Sequence, residues 1–100
     1  MRLTEQQQAT IRAVLRRHFG CNSQIRLFGS RADDTAKGGD IDLYIEPDIQ
    51  SPDQIVAARL NALADLHLAL GEQKIDLLVR RQPGPELPIH RHAQETGLPL

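Results

Sequence analysis

"LFGSRADDTAKGGDIDLYIE", residues 27–46, carries the feature that decides the reading of this 100-residue chain. Two acids, Asp40 and Asp42, interrupt an apolar run just after the Gly29-Ser30 pair and a glycine-bearing loop. Acids inside a strand cost stability unless a positive group compensates. Successive strand residues face opposite ways. Over 40–46, therefore, Ile41, Leu43 and Ile45 claim one face, and Asp40, Asp42 and Tyr44 the other. The two carboxylates sit about 6.5 Å apart along the strand, on one side of it.

A second acidic strand stands further on. In "KIDLLVR", residues 74–80, Ile75, Leu77 and Val79 take the apolar face and Asp76 points the opposite way. If the two strands pair, Asp40, Asp42 and Asp76 converge on one patch. Such a cluster repels itself, and at least one member holds its proton at neutral pH. Bound Mg²⁺ removes the conflict, since it takes oxygen ligands and typically one or two carboxylates plus substrate phosphates. Two such ions can stabilise the attacking and leaving oxygens of a phosphoryl transfer.

The Gly29-Ser30 pair suits the phosphate side of that chemistry. Gly29 lets backbone approach a phosphate closely, and Ser30 adds a hydroxyl and an N–H. Arg31 offers charge-assisted hydrogen bonds to phosphate oxygens, or else a structural ion pair. Lys37, in the loop that follows, reads first as a solvated lysine and second as a phosphate contact.

Around these strands the chain reads as a small α/β (α+β) domain. Thr4 and Gln7 have capping-box spacing, and Ile11, Val14, Leu15 and Phe19 recur at helical intervals up to Gly20. "QIRLF", 24–28, alternates as a short strand. Ser51, Pro52 and Gln54 open a second helix, with a second capping box, that ends at Gly71. Its apolar stripe is Ile55, Val56, Leu60, Leu63, Leu66 and Leu70. "PGPELP" breaks the chain, and "IHRHAQETG" forms a short closing helix. The expected order is α-β-β-α-β-α, a small mixed sheet with helices packed on one face. Residues 1–100 form one domain, with a core over 4–80 and a C-terminal extension over 81–100.

Bulk composition narrows the classes. A net charge of -1 with 25% charged residues describes a globular chain without the basic excess of an extensive nucleic-acid surface. Three aromatics are too few for a base-stacking platform. The single Cys21 cannot pair internally and reads as a spectator in a reducing compartment. "MRLTEQQQ" lacks a signal peptide's apolar stretch, and no run approaches membrane-spanning length. We expect a cytoplasmic protein with no membrane partner. His90 and His92 read as solvated, because residues two apart on a helix do not share a face. Tyr44 reads as a neighbour of a bound base or as a pocket wall.

"GSRA", a short loop, "DIDL" and a later strand acid together resemble the minimal nucleotidyltransferases of the DNA polymerase β superfamily. The resemblance spans most of the chain, from the first helix to Arg80. It implies the polymerase β-like nucleotidyltransferase fold, with Gly29, Ser30 and Arg31 at the triphosphate of ATP. Asp40, Asp42 and Asp76 would be catalytic and bind two Mg²⁺ ions, Asp76 helping to activate the attacking hydroxyl. Two departures stand out. Asp33 occupies a place that is often basic in relatives, and Gly39 one that often carries a hydroxyl.

Small stand-alone members of that superfamily are often found with a HEPN-type toxin and place AMP on its tyrosine. The resemblance therefore implies a protein adenylyltransferase acting as a type VII-like antitoxin, with homo-oligomerisation left open. Two alternatives remain: a non-catalytic module that neutralises a partner by docking, and a nucleotidyltransferase acting on an antibiotic or other small molecule.

Overall fold

The computed structural model describes residues 3–29, 40–71, 73–81 and 86–100. Helix α1 spans Glu5–Phe19, strand β1 Gln24–Phe28 and strand β2 Ile41–Glu46. They are followed by helix α2 (Pro52–Leu70), strand β3 (Ile75–Val79), helix α3 (Pro88–Thr96) and strand β4 (Leu98–Pro99). The sheet order is β3-β2-β1-β4. β1 pairs antiparallel with both β2 and β4, whereas β2 and β3 run parallel. The mixed α+β architecture is the one expected, with the two long helices on one face of the sheet and a short fourth strand added at the C-terminal end; α3 covers part of the other face.

Local chemistry explains most boundaries. Thr4 closes a full capping box with Gln7, its hydroxyl accepting the Gln7 N–H at 3.0 Å while the Gln7 side chain accepts the Thr4 N–H. Gly20 (φ +110°) and Gly71 (φ +83°) end α1 and α2 in backbone that L side chains rarely adopt. The second capping box does not form. Ser51 caps α2 with extended backbone and Pro52 opens the helix, but the Ser51 side chain makes no cap hydrogen bond. Strand β4 escapes sequence patterning because it is two residues long and contains Pro99, which a sheet tolerates only at an edge.

The main core lies between the sheet and the two long helices. Ile11, Leu15 and Phe19 of α1 and Ala62 and Leu66 of α2 meet Leu27, Ile41, Leu43 and Ile45, all fully buried. Helix α2 buries most of the stripe expected, Ile55 and Leu66 buried with Leu63 and Leu70 partly buried against the core, and adds Ala58 and Ala62. Val56 and Leu60 face outward instead, because small alanines let α2 sit close to its neighbours along a line that excludes both. An interhelical clamp adds to this contact. Asp65 on α2 accepts from Arg17 and pairs with His18 Nε2 at 2.7 Å. The His18 contact, more than Arg17, holds the Asp65 carboxyl below its ordinary range.

Helix α3 packs against a second, smaller cluster of Phe28, Tyr44 and Ala93, with Leu78 at its edge. Tyr44 is 1% exposed, with its hydroxyl 2.8 Å from Glu46 Oε1 and 2.7 Å from the Gln94 amide. His90 is not solvated. It is 6% exposed, and its Nδ1 accepts the Leu87 N–H at 3.0 Å, tying down the first turn of its own helix. His92 is exposed, as expected. Among the described residues no helix is long and apolar enough to cross a membrane.

Two leucines separate core from surface. Leu43→Ala removes a fully buried side chain at the centre of the sheet, and is expected to cost about 2–5 kcal/mol. Leu68→Ala, at a position 86% exposed, should stay within about 0.5 kcal/mol. Urea unfolding followed by far-UV circular dichroism measures both.

Candidate active site

The parallel register of β2 and β3 sets Ile41 against Ile75, Asp42 against Asp76 and Leu43 against Leu77. The apolar partners face the main core, so alternation turns both aspartates to the other side of the sheet. Asp42 and Asp76 therefore share one face at the end of β2 where the chain enters it, within hydrogen-bonding reach of each other. Asp40 precedes β2 and is exposed. Its Oδ2 lies 3.9 Å from Lys74 Nζ.

Glycine is required beside this pair. Gly29 follows β1 with φ +75°, and a Cβ built there would overlap the Asp42 carboxylate. The sequence reading assigned Gly29 to phosphate approach, and its packing on Asp42 is a second reason for the absence of a side chain. Ser30, Arg31, Asp33, Lys37 and Gly39 lie outside the described residues.

The electrostatics are those of crowded acids. Desolvation is the first cause that raises the Asp42 carboxyl above its ordinary 3.8. The Asp76 charge and hydrogen bond act the same way, Asp40 adds to them, and Lys74 alone opposes. Lys74 is a functional neighbour that the sequence reading missed. Its signal was available, because a parallel register that pairs Ile41 with Ile75 also brings Lys74 alongside Asp40.

The structure thus joins Asp42 to Asp76 directly and places Asp40 at their margin, drawn toward Lys74. Among the described residues, no three His, Cys, Asp or Glu side chains stand close enough to form a cage for a metal ion. Asp40 lies instead beside the Lys74 ammonium at the rim. The donor set remains all carboxylate, the chemistry a hard divalent cation prefers. Tyr44, two residues beyond Asp42 on the same side of the strand, is sealed under α3 and forms neither a base contact nor an open wall.

Two outcomes follow from this crowding. The folded protein holds the Asp42 proton more tightly than the unfolded chain, so stability falls as pH rises from about 3.8 through the raised folded value. Asp42→Asn is expected to remove that loss and raise the urea midpoint at neutral pH, with little gain at the acid end. Lys74→Gln frees Asp40 from its exposed ion pair. It should tighten binding of divalent cation roughly two- to fivefold, as isothermal titration with Mg²⁺ or Mn²⁺ would read.

Compared with known proteins, the chain matches no family model and no curated protein sequence, so the functional reading rests on this acidic face and on the motif that surrounds it.

Proposed function

We propose that the protein is a Mg²⁺-dependent nucleotidyltransferase that moves AMP from ATP onto a hydroxyl. The observation that carries the reading is the in-register Asp42–Asp76 pair, with Gly29 pressed against it at the start of the "GSRA" segment. Asp40, Asp42 and Asp76 would hold the cations. Mg²⁺ held there would supply charge neutralisation for the triphosphate during in-line displacement at the α-phosphorus. Asp76, the exposed member of the close pair, takes the proton of the attacking hydroxyl. A new oxygen–phosphorus bond forms to the α-phosphorus, the α–β anhydride bond breaks, and pyrophosphate leaves with the electron pair. Gly29 keeps side-chain bulk away from the triphosphate, and Ser30 and Arg31 contact it by analogy with the family motif.

The acceptor proposed is a tyrosine of a HEPN-type toxin, which the protein silences as an antitoxin. Exposure of Asp40 and Asp76 supports an acceptor carried on a macromolecule, because a partner surface can bring its own hydroxyl to an open site. The exposed free Cys21 suits a reducing compartment, and the reading takes the reaction to be cytoplasmic.

Incubation with labelled ATP, Mg²⁺ and the partner toxin tests the reading. Label should appear on the toxin, and intact mass should show an added AMP. Asp42→Asn and Asp76→Asn should each reduce transfer by about 100-fold or more with the circular dichroism spectrum unchanged. EDTA should abolish it. Transfer that persists in EDTA, or in Asp76→Asn at the wild-type rate, contradicts the proposal.

A further inference from the structure

Helix α2 carries an outward face that the fold does not use. At 100° per residue, Asp53, Val56, Leu60, Ala64, His67 and Leu68 fall on the arc opposite the buried Ile55, Ala58, Ala62 and Leu66, and all six are exposed. Val56 is 61% exposed and Leu60 63%. Single surface leucines are ordinary, but a stripe along one helix is a surface that excludes water when it is covered.

The order of residues along the stripe identifies what covers it. Reversed about Leu60, the helix sets Asp53 against His67, Val56 against Ala64, Pro52 against Leu68, and Leu60 against itself. Acid meets base, and apolar meets apolar. Arg59, whose Nε donates to Leu77 O at 3.4 Å on the flank, would face Asn61, so reversal brings no like charges together. A two-fold interface has this requirement, since each residue must suit its mirror position. A foreign partner imposes no such palindrome. His67 is also prepared for the contact. Its Nδ1–H donates to Leu63 O at 2.8 Å, so in the imidazolium form Nε2–H is the donor left to meet a carboxylate.

We propose that this face recognises a second copy of the chain: two α2 helices pair antiparallel about an axis at Leu60, with Asp53 of each against His67 of the other. The antiparallel arrangement also sets opposite helix ends together. The acids of the candidate site project from the sheet face away from α2, so both stay open in the dimer. The inference does not depend on the nucleotidyltransferase reading. A single helix pair buries less than the roughly 1,200 Å² of a standard interface, which places the contact in the weak class.

Analytical ultracentrifugation of the full chain between about 5 and 500 µM covers weak association of this kind. Wild type should pass from monomer to dimer. Leu60→Glu, which puts two acids on the axis, should weaken association at least tenfold while retaining the circular dichroism spectrum and melting temperature. Asp53→Lys and His67→Asp should each weaken it roughly three- to tenfold, and the double variant should recover most of the loss. A wild type monomeric throughout overturns the proposal and leaves the face to a different protein. Unaltered dimerisation of Leu60→Glu overturns it too. So does a double variant weaker than either single one, which would mean the two charges serve only their own helix ends.

Discussion

Parallel pairing of β2 with β3, in the register that sets Asp42 beside Asp76, is the constraint on which the candidate site depends. A parallel pair needs a crossover connection, and α2 supplies it between the two strands. The register is held by the opposite face. Ile41, Leu43 and Ile45 meet Ile75 and Leu77 in the core, and a slip of one residue would carry Asp76 into that apolar layer. The acids are placed by their neighbours, not by any attraction for one another. Each apolar residue driven inward turns the next residue outward, and three of those next residues are aspartates or a tyrosine.

The arrangement works against stability where the acids meet. Near a protein surface, two unit charges about 4 Å apart interact by about 4 kcal/mol, and Asp42 responds by holding its proton more firmly. Gly29 compounds the crowding with a positive φ pressed against the same carboxylate. Structural economy would favour an amide or a hydroxyl at position 42. Local unfavourable electrostatics kept in place by a well-packed core are characteristic of functional sites. Lys74 offsets part of the repulsion from the rim, and a cation bound among the acids would offset more.

Much of this was legible in the sequence because period-two alternation gives strand faces directly. The span 24–28 for β1, that of β2 except for Asp40, which precedes the strand, and the outward direction of Asp42 and Asp76 needed only the placing of Ile, Leu and Val. The α1 cap was legible because Thr4 and Gln7 have both the spacing and the side chains for it. What was not legible depended on contacts between distant segments. Val56 and Leu60 fit a helical stripe as well as Ala58 and Ala62 do, and hydrophobicity ranks them above the alanines. Close approach of α2 to its neighbours selects the alanines. His90 looked solvated because part of its environment, the Tyr44 ring 6.3 Å away, is tertiary. Arg31 and Ser30 belong to the motif but lie outside the described residues.

The side of the sheet that bears the acids changes character within two residues. Asp42 stands partly exposed beside Asp76, whereas Tyr44, next along the same side, is sealed beneath α3 with Phe28 and Leu78. Helix α3 therefore ends the acidic region abruptly and confines it to one end of β2 and β3. On the opposite face, the packed core holds the strands that carry Asp42 and Asp76. Under the proposed nucleotidyltransferase reading, the exposed Asp76 is accessible to an acceptor hydroxyl carried on another molecule. The exposed α2 stripe lies across the sheet from that centre, so self-association and acceptor docking would not compete for the same surface.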